Sequence, residues 1–124
     1  MTTQITGATP TDEQIGFAVD TLRLLADPTR LRILWALLHG EHSVNHLAAH
    51  VQASPASVSQ HLAKLRLARL VSTRREGTFV YYQAESEHVR RLVEQALFHG
   101  DHLAGDLPSH HRASPARRRR QQRA

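Results

Sequence analysis

The fold of this chain is decided by the stretch Ser54-Pro55-Ala56-Ser57-Val58-Ser59-Gln60-His61-Leu62-Ala63-Lys64-Leu65-Arg66-Leu67. Ser54 is a preferred N-cap residue, and Pro55 suits the first position of a helix. Val58, Leu62 and Leu65 recur at helical spacing and form one apolar stripe. The sequence therefore predicts one amphipathic helix over this stretch.

The face opposite the stripe is polar at its start and basic toward its end. Short hydrogen-bonding side chains suit base edges in a major groove, and Lys and Arg suit phosphates. Behind a short turn from another helix, such a helix is the recognition element of a helix-turn-helix. An ordinary amphipathic surface helix is the alternative. The candidate DNA-contacting residues on this face are Ser57, Ser59, Gln60, His61, Lys64 and Arg66.

Three further helices are predicted before this stretch. Thr11 opens the first with the pattern of a capping box. Asp27 and Pro28 end the first helix and begin the second, as N-cap and first helical residue. Ser43 begins a short third helix that runs to Val51. The second helix is apolar on most sides, so we expect it to be central.

After the recognition helix the apolar period changes from 3.6 to 2. The β-rich runs 70–75 and 78–82, joined at Glu76-Gly77, predict a hairpin. Four helices followed by a hairpin form a winged helix-turn-helix, mainly α with a β-hairpin wing. Arg74 and Arg75 near the hairpin tip are then expected to contact DNA phosphates. The alternative is an arginine pair that keeps an edge hairpin soluble.

A last helix is predicted from Ser86 to Leu103. So small a domain has little room to bury a further helix, so its apolar stripe is assigned to a dimer interface. The stripe consists of Val89, Leu92, Val93, Ala96 and Leu97. The chain is thus expected to have a flexible N-terminus over 1–10, a dimeric DNA-binding domain over 11–103 and a flexible His- and Arg-rich tail over 104–124.

Composition excludes several classes of protein. The 124 residues contain no 18-residue apolar run, so no membrane helix is expected, and the first ten residues lack the features of a signal peptide. No cysteine is present, which excludes disulfides and thiolate metal sites and fits a cytoplasmic protein. No nucleophile–base constellation, phosphate-binding glycine loop or paired carboxylates are found, so neither an enzyme nor a small organic substrate is expected.

The net charge of +5 is local. Residues 104–124 contain six arginines and one acid, which accounts for the whole excess, and residues 1–103 are balanced. A neutral body with a basic strip favours contact with a polyanion such as double-stranded DNA. For the arginine tail, a solvated end is preferred over a DNA-binding arm.

Ten histidines are a large excess for this length, and three of them share a pattern. His88 and His99 are eleven residues apart and share one helix face, with His102 one turn further on. They lie roughly 16 Å apart along the helix axis, too far for one metal ion. If two copies of the helix pack antiparallel, His88 of one chain meets His99 and His102 of the other. The spacing therefore predicts a homodimer with two metal sites.

Further donors lie close to this set in the sequence. Asp101 adds an oxygen ligand, and His110 and His111 on the tail could close over the site. Imidazole and carboxylate donors without sulfur suit zinc, nickel or cobalt, and six ligands favour octahedral nickel or cobalt. The alternative is that these are exposed helix histidines. His46 and His50 also have the i, i+4 spacing of metal ligands, but a solvated face is preferred for that pair.

Three segments of the chain resemble the ArsR/SmtB family of winged-helix metal-responsive repressors. They are Leu25–Leu34 (LADPTRLRIL), Ser57–Leu65 (SVSQHLAKL), and Leu70-Val71 with the Arg75-Glu76-Gly77 turn. The resemblance extends over residues 15–103. It implies a homodimer that occupies operator DNA when metal-free, leaves it when metal binds, and controls a metal exporter.

One class of the family has thiolates near the third helix; this chain has Val44-Asn45-His46 there, which excludes arsenic, cadmium or lead sensing at that site. Another class uses Asp-x-His and His-x-x-Glu/His on the last helix. Ser86-Glu87-His88 and His99-Gly100-Asp101-His102 match it at three of four positions, with Ser86 in place of the aspartate. The match continues into the nickel- and cobalt-sensing branch through Pro108-Ser109-His110-His111-Arg112. That resemblance implies the ligands His88, Asp101, His102, His110 and His111, with His99 as a sixth.

Two alternatives remain open at this point. One is a repressor of the same family that responds to zinc. The other is a winged-helix DNA-binding regulator that has no metal effector and uses its arginine tail as a nonspecific arm.

Overall fold

The computed structural model of the chain describes residues 7–106. Four helices, an antiparallel hairpin and a fifth helix follow one another, so the predicted fold class is confirmed. In order, the elements are α1 (Asp12–Leu25), α2 (Pro28–Leu38), α3 (Val44–Val51), α4 (Pro55–Leu67), β1 (Val71–Glu76), β2 (Phe79–Ala84) and α5 (Glu87–Asp106).

Each of the first four helices begins at the capping residue that the sequence predicts. The Thr11 hydroxyl accepts the Gln14 N–H at 3.1 Å, and the Gln14 side chain accepts the Thr11 N–H at 2.9 Å. Ser43 caps α3 and Ser54 caps α4 in the same way, at 3.2 and 3.1 Å. These side chains satisfy backbone donors that would otherwise lack partners at the helix ends.

Among the N-caps of helices α1 to α4, the charged residue is Asp27, at the start of α2. Its carboxylate accepts the Arg30 N–H at 2.9 Å, and this hydrogen bond lowers the pKa of Asp27. A carboxyl whose pKa is lower in the folded chain stabilises the fold above the unfolded-state pKa, and that contribution is lost as the pH falls through the folded-state pKa. The stabilisation by ionised Asp27 is thus present at neutral pH and lost in acid.

We expect Asp27→Ala to lower the free energy of unfolding by about 1 kcal/mol at pH 7, because the helix loses its cap. The difference from the wild type should begin to shrink below about pH 4, where Asp27 of the unfolded chain is protonated, and should level off only below the lower pKa of the folded state. Denaturant unfolding at several pH values measures it. Asp27→Asn retains a capping oxygen and serves as the control: its loss at pH 7 should be smaller than that of Asp27→Ala, and position 27 no longer titrates in it. A loss that stays the same at every pH down to strongly acid solution would contradict this account.

The core is built around α2, as its sequence predicts. Five of its eleven residues are buried, against none in α1. Trp35 differs from this pattern, since it is 41% exposed and its ring meets the edge of His39. The other described core residues come from α3, α4, Leu70 before β1, Val71 of β1, and α5. The buried core residues are Ile33, Leu34, Ala36, Leu37, Leu38, Leu47, Ala48, Val58, Leu62, Leu65, Leu70, Val71, Val89 and Val93.

The two strands of the hairpin pair in a register that places the turn one residue later than predicted. Glu76 pairs with Phe79, so the turn consists of Gly77 and Thr78 instead of Glu76 and Gly77. Gly77 has a φ of 61°, a left-handed value that glycine adopts without strain, and Glu76 remains in the strand. At the base of the hairpin, His42 forms backbone hydrogen bonds with Tyr82 in both directions.

The last helix ends at Asp106, three residues beyond the predicted end, and the chain divides into two units within it, after Arg90. In the first unit, Val89 is buried and the Arg90 guanidinium donates to the Leu38 carbonyl. In the second unit, Val93 is buried, whereas Leu97 is exposed. In a single chain, the exposed members of the predicted dimer stripe are Ala96 and Leu97.

No helix among residues 7–106 is long and apolar enough to cross a membrane. The predicted tail ligands His110 and His111, and most of the predicted tail over 104–124, lie outside the described residues.

Candidate nucleic-acid interface and metal ligands

The recognition helix α4 buries one face and exposes the other. The preceding helix ends at Val51, and the left-handed backbone of its C-cap residue Gln52 (φ 58°) turns the chain sharply toward α4. Val58, Leu62 and Leu65 are completely buried, so the predicted apolar stripe is confirmed. On the polar face, four of the predicted DNA-contacting residues are exposed and two, Ser57 and His61, are half-buried. The exposed four are Ser59, Gln60, Lys64 and Arg66.

Among residues 7–106, the side chain of His61 on this face contacts a side chain of another helix. Its Nδ1 lies 3.2 Å from Nη1 of Arg30, on α2. Arg30 also donates from Nε to the Leu24 carbonyl at 2.6 Å, so its guanidinium joins the end of α1 to the recognition helix. Sequence reasoning missed Arg30, because nothing in the spacing of residues 30 and 61 indicates that they meet.

The two wing arginines have different surroundings. Arg74 donates from Nε and Nη2 to the two carboxylate oxygens of Glu41, at 3.0 and 2.5 Å, and from Nη1 to Glu76 at 2.8 Å. Its guanidinium also lies 4.9 Å from the ring centre of Tyr81. Arg75 is exposed and points to the opposite face of the strand, as successive residues of a strand do.

The Glu41–Arg74 pair also changes the acid–base behaviour of its members. The Arg74 hydrogen bonds lower the pKa of Glu41, and Glu41 and Glu76 together raise the pKa of Arg74. The charge of Arg74 is therefore compensated within the chain by two carboxylates. Arg75 is the wing arginine better suited to a phosphate contact.

The histidines near α3 form a pair that differs from the predicted i, i+4 pair of His46 and His50. His42 and His46 approach through their Nδ1 atoms at 2.8 Å, with the rings edge to face at 4.6 Å. A hydrogen bond between two ring nitrogens needs one donor and one acceptor. One of the two rings therefore carries no proton on Nδ1 and is uncharged. Partial burial lowers the pKa of His42, and the neighbouring His46 and His50 lower it further.

The predicted metal ligands within the described chain all lie on α5. His88, His99, Asp101 and His102 are exposed on this one helix, which runs unbroken from Glu87 to Asp106. Within residues 7–106 no three His, Asp or Glu side chains of a single chain come together as a metal site. The predicted site draws its ligands from two chains and from His110 and His111.

Comparisons with known proteins identify the family. The profile described as "Bacterial regulatory protein, arsR family" matches residues 27–73. The regulator KmtR of Mycobacterium tuberculosis is 52% identical over 83% of this chain and 79% of its own length. The regulator NmtR of the same organism is 36% identical over 82% of this chain and 86% of its own length.

The fold agrees with solved structures. The homodimeric winged helix-turn-helix domain Mb0332 of Mycobacterium bovis is 30% identical, covers 87% of this chain and 100% of its own, and superposes with a TM-score of 0.70. The predicted winged helix-turn-helix is thereby confirmed, and the relatives are regulators rather than enzymes. The chain belongs to the ArsR family of bacterial transcriptional regulators.

Proposed function

We propose that this protein is a metal-responsive repressor that binds operator DNA as a homodimer when metal-free and releases it when nickel or cobalt binds. The regulated gene product is then a metal exporter, and the protein works in the cytoplasm with the DNA. The proposal rests on the observation that two different helices expose two different kinds of binding surface. α4 exposes a polar and basic face above a fully buried stripe, and α5 exposes three histidines and an aspartate.

The exposed face of α4 supports binding in a major groove. Ser59 and Gln60 carry short donors and acceptors suited to base edges, and Lys64 suits a phosphate. None of the three packs in the core. Two such helices related by a two-fold axis contact half-sites about one helical turn apart, so the operator has matching two-fold symmetry.

The donor set of α5 and the tail fits a nickel or cobalt ion. The chain has no thiol, and imidazole nitrogens with one carboxylate oxygen suit nickel, cobalt and zinc. His88 of one chain with His99 and His102 of the other would hold the ion, joined by Asp101 and the tail histidines. This pattern resembles that of the nickel- and cobalt-sensing branch of the family.

A homodimer has apolar surface available on the described chain. α1 buries none of its residues, and Ile15 and Leu22 are 51% and 57% exposed. On α5, Leu97 and Phe98 are exposed beyond the buried start of the stripe. Pairing these surfaces with a second copy would remove them from water, which stabilises a small domain.

Release then follows from the geometry of the dimer. The ligands proposed for each ion come from both chains, so a loaded site favours one relative position of the two. We propose that in this position the two recognition helices no longer match both half-sites. The coupling required is of the usual size, about 1–3 kcal/mol, which lowers operator affinity by about 5-fold to 150-fold.

The test is a titration of nickel, cobalt and zinc, each separately, into the protein bound to a labelled fragment from upstream of its own gene. Anisotropy is followed at fixed salt, because salt alone changes DNA affinity strongly. Release by nickel or cobalt but not zinc supports the proposal. Equal release by zinc favours the zinc-responsive alternative, and no release by any metal favours a regulator without a metal effector.

Absorption of the cobalt complex distinguishes the two metal-responsive alternatives independently of DNA. Six-coordinate cobalt gives weak d–d bands, whereas a tetrahedral site of four ligands gives strong ones. We expect weak bands. The same measurement on a protein lacking residues 104–124, which removes His110 and His111, should change the spectrum if the tail supplies ligands. Deletion of the tail that removes most DNA affinity but leaves the metal response would favour the arginine-arm alternative.

We expect Arg75→Ala to weaken binding to the operator and to its base-pair variants by the same factor, because a contact with a phosphate does not depend on the base sequence. Each phosphate contact contributes about 0.9 to the magnitude of the slope of log affinity against log salt concentration. A dimer contains two Arg75 side chains, so the magnitude of this slope should decrease by about 1.8 in the variant. Arg23→Ala is the matched control, since Arg23 is exposed on α1, outside the recognition helix and the wing. Equal salt slopes for Arg75→Ala and the wild type would refute the contact.

A further inference from the structure

The recognition helix contains one side chain that the rest of the fold orients. His61 lies at i+4 from Ser57 and precedes Lys64 by three residues, so it belongs to the polar face of α4. It also adjoins the buried stripe and is half-buried itself. Its Nδ1 is 3.2 Å from Nη1 of Arg30.

Arg30 is itself held at several points. Its backbone N–H donates to the Asp27 carboxylate at 2.9 Å, and its Nε donates to the Leu24 carbonyl at 2.6 Å. The guanidinium is planar and its donors have a fixed geometry, so the hydrogen bond from Nε to the Leu24 carbonyl orients the group that presents Nη1 to His61. His61 therefore meets a donor that is positioned by α1 and by the cap of α2.

The chemistry of arginine decides the state of the histidine ring. A guanidinium has five N–H donors and no acceptor, so Nδ1 of His61 must accept. A ring that accepts at Nδ1 is uncharged and carries its single proton on Nε2. The Nε2–H group is then the only polar group of His61 left for a partner outside the chain.

We infer that Arg30 is a positioning residue that holds His61 as the neutral Nε2–H tautomer, and that this Nε2–H reads a hydrogen-bond acceptor on a base edge of the operator. This inference rests on the proposed function. The acceptors available in the major groove are N7 and O6 of guanine, N7 of adenine and O4 of thymine, whereas cytosine presents an amino donor. His61 thus determines specificity at one base position, and Arg30 acts through it without touching DNA.

The first test needs no DNA. Nitrogen-15 chemical shifts of the ring, correlated with its carbon-bound protons, distinguish the two tautomers and the charged form. In the free protein at pH 7.5 we expect the Nε2–H tautomer at His61 in the wild type and in Arg32→Met. Arg32 is an exposed arginine on the same helix, and it matches Arg30 in charge. In Arg30→Met, where no donor faces Nδ1, we expect ring shifts averaged between tautomers.

The second test measures base preference. Affinity is determined for the operator and for each single base-pair variant beneath α4. His61→Gln places an amide N–H close to where Nε2 lies, so it should retain the wild-type preference. His61→Asn reaches only as far as Nδ1 and should lose about threefold to tenfold of the preference at one position, as expected for one neutral hydrogen bond.

A double-mutant cycle then joins Arg30 to His61. Arg30→Met should lose preference at the same base pair as His61→Asn, and the double variant should lose no more than His61→Asn alone. Losses that add, or that fall at different base pairs, would overturn the inference. So would an Nδ1–H or a charged His61 ring in the free wild type.

These outcomes separate the inference from the proposed function. A wild-type protein that shows the Nε2–H tautomer but binds no operator overturns the proposed function, and the reading of a base with it. A protein that binds its operator and releases it with metal, but shows equal base preference in His61→Gln and His61→Asn, overturns this inference alone.

Discussion

Replacing His88 and His102 together with alanine is expected to abolish release of the operator by nickel. In the wild type we expect saturating nickel to lower operator affinity by about 5-fold to 150-fold, the range of an ordinary coupling free energy. In the double variant the ratio should fall to about one, because each proposed site loses ligands from both chains. Affinity without metal should stay within about twofold, since both residues are exposed on α5, outside the recognition helix and the wing. Anisotropy titrations with and without nickel measure both quantities.

The matched control removes the two histidines of α3. His46→Ala with His50→Ala deletes the same number of imidazoles from the other histidine cluster. Because the proposed site lies on α5 and the tail, this variant should respond to nickel as the wild type does. A His88/His102 variant that still releases DNA with nickel would disprove the α5 assignment. If only the α3 variant lost its response to nickel, the metal site would have to be assigned to α3.

Replacing Leu62 with alanine is expected to have the largest effect on stability. Leu62 is completely buried in α4, on the stripe that holds the recognition helix to the core. Loss of a buried leucine side chain lowers the free energy of unfolding by about 2–5 kcal/mol. For a domain of this size the midpoint of thermal unfolding should fall by about 10 °C or more. Thermal and denaturant unfolding at one protein concentration measure the change, since a dimer's stability depends on concentration.

The same helix offers a control of identical chemistry. Leu67, at the last residue of α4, is 87% exposed, so Leu67→Ala removes almost no buried surface. Its unfolding free energy should stay within about 0.5 kcal/mol of the wild type. Equal losses from the two variants would mean that the burial of Leu62 does not stabilise α4 in the way described.

Local chemistry was enough to predict the order and the starts of the helices. A capping side chain acts within three residues, so Thr11, Asp27, Ser43 and Ser54 could be identified from their neighbours alone. The stripe of α4 was equally visible, because helical spacing places its members on one side. The metal site on α5 remains a prediction. It was inferred in the same way, because on a continuous helix the spacing of its histidines places them on one face.

Contacts between neighbouring elements decided details that the pattern along a single segment did not predict. The hairpin turn falls on Gly77 and Thr78 because strand pairing keeps Glu76 opposite Phe79. Near the start of α5, Val89 is buried and Arg90 donates a hydrogen bond to the Leu38 carbonyl at the end of α2. In both cases a nearby element decided the outcome, and periodicity along one segment does not contain that information.

The sequence by itself determined the helices, the hairpin, the buried stripe of the recognition helix and the family. Only the tertiary structure decided which charged and titratable side chains meet. Arg74 reaches Glu41 across 33 residues, and Arg30 reaches His61 across 31. The physical reason is the separation of the interacting residues along the sequence. Caps and helical periodicity arise from contacts within a few residues, whereas these guanidinium groups meet their partners only after helices and strands have packed. Those long-range contacts determine which wing arginine has its charge compensated by carboxylates and which ring nitrogen of His61 faces Arg30.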